Sequence, residues 1–89
     1  MDDLTGFQRD LLYVIAGADQ PSGQTVKAEI ESYYRSDINH GRLYPNLDTL
    51  VNKGLVDKGQ HDRRTNYYEI SDDGRRSIDE RQQWEQQYV

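Results

Sequence analysis

The stretch NHGRLYPNLDTLVNKGLV, residues 39–56, combines two different helical faces in one short segment. Apolar residues recur at the i, i+4, i+7, i+8 spacing of an amphipathic helix, namely Leu43, Leu47, Leu50 and Val51. A polar stripe without acidic residues follows the spacing i, i+4, i+7, i+11, namely Arg42, Asn46, Thr49 and Lys53. Side chains of these types hydrogen-bond base edges and phosphates. We therefore interpret this segment as a recognition helix whose apolar side lies on a core.

Both ends of this helix are marked in the sequence. Asn39 suits the N-cap, with Gly41 as the alternative. Pro45 has to lie near the first turn, because proline has no N–H to donate deeper in a helix. Gly54 suits the left-handed position that follows a helix, and Leu55 closes the turn hydrophobically.

Two further helices are predicted before residue 39. Thr5-Gly6-Phe7-Gln8 has the form of a capping box, and helical spacing of apolar residues then continues until Gly17, which predicts helix 1 over about residues 6–16. Ser22 is a candidate cap for helix 2, which runs from about residue 24 to 34. Its inward residues are expected to be Val26, Ile30 and Tyr33, and Tyr33 and Tyr34 are both interpreted as core packing.

After Gly54 the apolar period changes from 3.6 to 2, which indicates strands. Strands are predicted over residues 55–58 and 66–70, with a polar loop over 59–65 between them and a helix from about residue 73. Tyr67 and Tyr68 alternate faces, so one is expected in the core and the other exposed. The fold class is mainly α with a small β-hairpin (α+β), in the winged helix-turn-helix order α1-α2-α3-β-wing-β-α4. We assign residues 1–72 to the winged-helix domain and residues 73–89 to a C-terminal dimerisation helix.

Composition excludes several classes of function. The chain has no cysteine, so it has no disulfide, thiolate metal site or thiol nucleophile. No apolar run has the length of a membrane span and the first residues do not resemble a signal peptide, so we expect a cytoplasmic protein with no membrane partner. The two histidines, His40 and His61, follow no ligand spacing, and no phosphate-binding loop or nucleophile motif occurs. We expect no enzyme activity, metal or cofactor.

The distribution of charge matters more than the net charge of -5. Residues 39–66 contain five basic and three acidic residues, whereas both flanking segments are acidic. Eleven aspartates, eight arginines and only three lysines are typical of proteins that work in concentrated salt, where repulsion between surface carboxylates is screened. An acidic chain of this kind is compatible with binding to double-stranded DNA through its basic central segment.

The segments Gly41-x-Leu43-Tyr44-Pro45-x-Leu47-x-x-Leu50-x-x-x-Gly54-Leu55-Val56 and Arg64-x-x-Tyr67-Tyr68-x-Ile70-Ser71-x-x-Gly74 resemble PadR-type transcriptional regulators in their short form, and in particular those of salt-loving archaea. The resemblance covers residues 4–78 and implies a homodimeric DNA-binding repressor that pairs through its first and last helices. Two features depart from the family pattern. Asp48 stands where a basic residue is common, and the C-terminal helix is too short and polar for a large ligand pocket between protomers.

Candidate DNA contacts fall on the recognition helix and on the wing. The recognition-helix candidates are His40, Arg42, Tyr44, Asn46, Thr49 and Lys53. Arg42, Asn46 and Thr49 are assigned to base edges. Lys53 is either a phosphate contact or a partner of the dipole at the C-terminal end of the helix, and His40 and Tyr44 are either phosphate contacts or local packing. The wing candidates are Lys58, His61, Arg63 and Arg64, which are expected to hold phosphates or enter the minor groove. Asp62 is a possible ion-pair partner of one of the two arginines.

The candidate dimer interface combines the first and last helices. Its predicted members are Leu4, Phe7, Leu11, Ile78, Arg81, Trp84 and Tyr88. Trp84 has two other interpretations: it lines a pocket for an unidentified small-molecule effector, or it covers helix 1. The functional prediction is a sequence-specific regulator, by default a repressor, that binds a pseudo-palindrome. The alternative is a winged helix used as a protein-interaction module in a transcription-related assembly.

Overall fold

The computed structural model describes all 89 residues and has the predicted order of elements. These are α1 (Gly6–Gly17), α2 (Gly23–Tyr34), α3 (His40–Asn52), β1 (Val56–Gln60), β2 (Asn66–Ile70) and α4 (Asp72–Gln86). The winged helix-turn-helix prediction is confirmed. α2 and α3 form the helix-turn-helix pair, and the antiparallel β1–β2 hairpin, residues 56–70, forms the wing.

Each helix begins after a residue whose side-chain oxygen accepts a hydrogen bond from the backbone N–H three residues later, namely Thr5, Ser22, Asn39 and Ser71. Asn39, and not Gly41, is therefore the N-cap of α3. Thr5 and Gln8 form the predicted capping box, since the Gln8 side chain also accepts from the Thr5 backbone N–H. At the other end of α3, Gly54 has a φ of 76°, the left-handed conformation that glycine adopts without strain.

Pro45 lies deeper in α3 than the predicted first turn, at the sixth helical position. Its missing N–H leaves the Gly41 carbonyl without an intrahelical donor. Both residues are exposed, so solvent can hydrogen-bond that carbonyl and the proline is tolerated.

The predicted apolar stripe of α3 packs into a single core of 14 buried hydrophobic residues. Leu43, Leu47 and Leu50 are fully buried, while Val51 is half-buried. The prediction for the end of α2 was wrong for Tyr33, which is 77% exposed. Tyr34 instead packs inward, because its hydroxyl donates to the Asp10 carboxylate at 2.6 Å.

The hairpin is longer than predicted. β1 begins at Val56 and extends to Gln60, because Gly59 and Gln60 pair with Tyr67 and Asn66. The wing loop is thus reduced to residues 61–65. Tyr68 is buried, and Tyr67 is half-buried rather than exposed.

A link between the wing and α2 was not predicted. The backbone N–H of Tyr68 donates to the Pro21 carbonyl at 2.9 Å, and Ser22 pairs with Tyr67 as an isolated bridge. Since Ser22 caps α2, this pairing fixes the start of α2 beside the wing.

Candidate nucleic-acid interface

The solvent face of α3 differs from the predicted polar stripe. With Leu43, Leu47 and Leu50 buried, the residues opposite the core follow the same helical spacing and are Gly41, Pro45, Asp48 and Asn52. We call these four residues the outer face of α3. The predicted stripe lies along one edge of it, on the side that contacts α1.

Arg42 lies at this edge with its side chain exposed. The guanidinium carbon stands 4.0 Å from the centre of the Phe7 ring and 6.0 Å from that of Tyr34. A cation–π contact with an aromatic face restricts the guanidinium and leaves its N–H groups free to donate. Arg42 is therefore held beside the outer face of α3 with its hydrogen-bond donors available.

Asn46 has both ends of its amide occupied. Its Oδ1 accepts from Gln8 Nε2 at 2.9 Å, and its Nδ2 donates to the Arg42 carbonyl at 2.7 Å. Its predicted role as a base contact stays a prediction. That role requires Asn46 to give up one or both of these hydrogen bonds for bonds to a base.

The other two members of the polar stripe also have partners within the chain. The Thr49 hydroxyl donates to the Pro45 carbonyl at 3.0 Å. Lys53 Nζ pairs with the Asp3 carboxylate at 2.8 Å, and this hydrogen bond lowers the pKa of Asp3. Lys53 thereby joins the end of α3 to the segment before α1. The Asp3 carboxylate partly neutralises its charge, which weakens its attraction for a phosphate.

The opposite edge of α3 faces α2 and the wing. The rings of His40 and Tyr44 meet edge to face with their centres 5.5 Å apart. The Tyr44 ring packs against the first residue of α2, so closely that a Cβ added to Gly23 would lie 2.7 Å from the hydroxyl. Tyr44 is half-buried, yet its hydroxyl lines an open groove together with the start of α2 and Arg64.

The wing loop presents two arginines without an ion-pair partner. Asp62 Oδ1 accepts from the backbone N–H groups of Arg64 and Thr65, at 2.8 and 2.9 Å, and these bonds lower the pKa of Asp62. The Asp62 carboxylate therefore shapes the loop instead of pairing with the side chain of Arg63 or Arg64. Both arginines are exposed.

The remaining wing candidates lie on the strands and at the loop entrance. Lys58 is on β1, opposite Tyr68, with its Nζ 6.0 Å from the centre of that ring. His61 stacks on Tyr67 with ring centres 4.6 Å apart, and its Nε2 lies 3.3 Å from the Gln20 carbonyl. The wing thus offers Lys58, Arg63 and Arg64 as unpaired cations, while His61 mainly packs.

The candidate dimer residues separate into two groups. Leu4, Phe7, Leu11 and Ile78 are all buried in the core of the protomer. Their predicted part in a dimer interface stays a prediction. Trp84 and Tyr88 remain 49% and 70% exposed, with ring centres 5.1 Å apart. The Arg81 guanidinium lies 4.5 Å over the Trp84 ring. We call Arg81, Trp84 and Tyr88 the α4 patch.

Other kinds of site have little support in the geometry. No three His, Cys, Asp or Glu side chains come together as a metal site requires. None of the helices combines the length and the apolar character needed to cross a membrane.

No curated protein matches the sequence of this chain. Solved structures, in contrast, share its fold across most of the chain. RosR of H. salinarum is 48% identical, with a TM-score of 0.87 over 92% of this chain and 74% of that chain. RosR in the complex named RosR-SG is 45% identical, with a TM-score of 0.92 over 98% and 77% of the two chains. F93 from STIV, described as a winged-helix DNA-binding protein, shares the fold at 20% identity, with a TM-score of 0.69 over 93% and 89%.

A family match agrees with these structures and covers most of the sequence. The family described as "Transcriptional regulator PadR-like" matches residues 11–80. It is a family of transcriptional regulators and not of enzymes. By this match and by its identity to RosR, the chain belongs to the PadR-like family of transcriptional regulators.

Proposed function

We propose that this chain is a sequence-specific DNA-binding regulator that binds a pseudo-palindromic operator as a homodimer and represses transcription. One observation carries the proposal: unpaired, exposed cations flank the outer face of α3, with Arg42 at one edge and Arg63 and Arg64 on the wing. A helix of this kind fits the major groove while the wing follows the phosphate backbone. F93, with the same fold, is described as DNA-binding, and FabT of Streptococcus pneumoniae, also of this fold, is described in complex with DNA.

Within α3, we assign the principal base contact to Arg42. The Arg42 guanidinium, which lies 4.0 Å from the centre of the Phe7 ring, can donate two parallel hydrogen bonds to guanine O6 and N7. Thr49 uses its hydroxyl to bond its own helix, so its methyl group is the part left for a thymine methyl. Asn46 has a different part in this proposal: it holds α3 against α1 through Gln8.

Phosphate contacts are assigned to the other edge of α3 and to the wing. The Tyr44 hydroxyl and Arg64 line one groove beside the first backbone N–H groups of α2, which favour an anion. His40 lies next to Tyr44, and Lys58 and Arg63 extend the cationic surface along the wing. Phosphate contacts position the protein on the duplex and do not distinguish sequences.

The homodimer is assigned to the α4 patch. Two large aromatic side chains, Trp84 on the otherwise polar α4 and Tyr88 just after its end, are exposed and are expected to be covered by a second copy of the same chain. Two-fold symmetry then sets two α3 helices into successive major grooves about 34 Å apart, which requires an operator with two inverted half-sites. Occupation of such a site near a promoter excludes the transcription machinery, hence repression.

Selection from a random duplex library at high KCl tests sequence-specific binding with no operator sequence chosen in advance. We expect enrichment of one inverted-repeat motif. Fluorescence anisotropy should then show saturable binding of the selected duplex at two protomers per site, and no saturation with a scrambled duplex of the same composition. A variant with Arg42, Arg63 and Arg64 all changed to alanine is the control and should bind neither. If the selection enriches no sequence motif, the proposal is contradicted.

The α4 patch also favours a second function, as a protein-interaction module. In that case Trp84 and Tyr88 would contact a different protein and the chain would select no DNA motif. The same selection experiment therefore distinguishes the two functions. An effector pocket is a third use of the patch, and quenching of the single tryptophan by a small molecule would support it.

A further inference from the structure

Asp48 occupies a place where a DNA-binding helix seldom carries a negative charge. It lies on the outer face of α3, towards the wing, where its charge adds to burial in raising the pKa of Tyr68. Its side chain is exposed, and none of the ion pairs in the chain includes it. No other ionisable residue belongs to that face, which otherwise consists of Gly41, Pro45 and Asn52. Any duplex that accepts α3 in its major groove therefore meets the Asp48 carboxylate.

The outer face is shallow, which brings the short Asp48 side chain within reach of the bases. Gly41 has no side chain, and the Pro45 ring stays close to the helix backbone. No long residue on this face holds the helix away from the floor of the groove. The adjacent Leu47 is fully buried, so the helix cannot rotate to remove Asp48 from the groove without exposing its core residues.

An ionised carboxylate only accepts hydrogen bonds, and this limits the bases that it tolerates. In the major groove guanine presents N7 and O6, and thymine presents O4, all of which are acceptors that repel it. Cytosine presents the N4 amino group as its polar atom, whereas adenine places the N7 acceptor beside its amino group. Cytosine is thus the base that offers a carboxylate a donor and no adjacent acceptor of its own.

We propose that Asp48 is a specificity-determining residue that selects a cytosine in each half-site by accepting a hydrogen bond from its N4 amino group. This inference rests on the proposed function, because it requires α3 to enter the major groove. The carboxylate also repels phosphates, so it adds little affinity for DNA in general. Its effect is to weaken binding to every sequence that lacks the donor at that position, which is discrimination by exclusion.

The test compares motifs selected from a random duplex library by the 89-residue wild-type chain and by Asp48→Ala, Asp48→Asn and Asp79→Ala. Asp79 is exposed on α4, so its variant removes the same charge away from α3 and the wing. We expect the wild type and Asp79→Ala to select the same cytosine in each half-site. Replacing that cytosine by thymine should weaken wild-type binding about tenfold, and Asp48→Ala binding less than twofold.

Asp48→Asn provides a second, positive signature. An asparagine both donates and accepts, and it pairs with adenine N6 and N7, so the preferred base at that one position should change from cytosine to adenine. All three variants alter exposed residues, so their thermal unfolding should match that of the wild type. Binding of a scrambled duplex by Asp48→Ala should be equal to or tighter than that of the wild type.

The outcomes separate this inference from the proposed function. If the wild type selects no motif, both fail. If the wild type selects a motif and Asp48→Ala keeps every base preference in it, the proposed function stands and the role of Asp48 is overturned. If Asp79→Ala loses the cytosine preference as Asp48→Ala does, the effect is one of net charge, and the assignment to a direct contact is again overturned.

Discussion

The side-chain amide of Gln8, in the first turn of α1, donates to Asn46 Oδ1 in the middle of α3 across 2.9 Å. Gln8 also completes the capping box, where its Oε1 accepts from the Thr5 backbone N–H at 3.1 Å. Asn46 in turn donates to the carbonyl of Arg42, one helical turn earlier. A chain of hydrogen bonds, partly buried except for its exposed last bond to Arg42, therefore links the start of α1 to the segment of α3 that carries Arg42.

The energy of this link can be measured with a double-mutant cycle. Gln8→Ala and Asn46→Ala should each lower the free energy of unfolding, and the coupling between them should be about 0.5–1.5 kcal/mol, as for a partly buried hydrogen bond. Urea denaturation of the four proteins gives this value. Ser71→Ala, which removes the cap of α4, should combine additively with Asn46→Ala. A coupling near zero for Gln8 and Asn46 would mean that the two helices are held without this bond.

Tyr34 predicts a particular dependence of stability on pH. Burial and the neighbouring Asp10 carboxylate raise the pKa of Tyr34 from 10.0 to about 12. Because the folded state favours the neutral phenol, the stabilisation is fully present below pH 10 and is lost as the pH rises towards 12. At pH 8, Tyr34→Phe should be less stable than the wild type by about 1 kcal/mol through loss of the bond to Asp10.

This difference between Tyr34→Phe and the wild type should shrink between pH 10 and 12, when both are followed by urea unfolding. Burial also raises the pKa values of Tyr13 and Tyr68, but these residues are present in both proteins and their effects cancel. A difference that stays constant up to pH 12 would contradict the raised pKa of Tyr34.

Local patterns were sufficient to predict the elements of the fold. Features that depend only on neighbouring residues can be predicted from the sequence. Examples are the Asn39 cap, the turn at Gly54 and the change of apolar period after it. The extra length of β1 was missed because pairing with Tyr67 decides it, and that pairing is not local.

The surface of α3 was harder to predict than its core. Helical spacing separates the polar side from the apolar side, but it does not say which polar edge will meet α1. The bonds from Asn46 to Gln8 and from Lys53 to Asp3 depend on how α3 packs against α1 and the residues before it. Helical spacing therefore could not predict that these two side chains have partners within the chain. Spacing also could not tell whether Phe7 or Ile78 contributes to the core or to an interface.

Arg42 is predicted to determine base preference and not general affinity. Arg42→Ala should relax the selected motif at one position, with a loss of about 1–3 kcal/mol of discrimination against the other bases. Arg42→Lys retains the charge but not the planar pair of donors, so it should lose the same preference while binding a scrambled duplex as the wild type does. Anisotropy titrations with single-base variants of the selected duplex measure both effects. Uniform weakening on all duplexes would assign Arg42 to a phosphate instead.

Arg63 is predicted to show the opposite behaviour. Arg63→Ala should weaken binding to all duplexes by a similar factor, because a phosphate contact carries no sequence information. The slope of log K against log[KCl] should become shallower by about 0.9, because the variant neutralises one phosphate fewer. Arg76→Ala is the matched control, since Arg76 lies on α4 and is paired with Asp73 at 2.7 Å. An unchanged salt slope in Arg63→Ala would remove Arg63 from the interface.

The α4 patch is predicted to hold the dimer together. Trp84→Ala should convert the protein from dimer to monomer in light-scattering measurements of mass. The monomer should still unfold cooperatively, because the side chain lies outside the protomer core. Tyr33→Ala is the control: Tyr33 is 77% exposed on α2, and its removal should leave the mass unchanged. Trp84→Ala should lower the affinity for a duplex with two half-sites more than the affinity for a duplex with one. A monomer binds each half-site separately and loses the added affinity of binding both at once. A Trp84→Ala protein that remains dimeric would show that another surface joins the protomers.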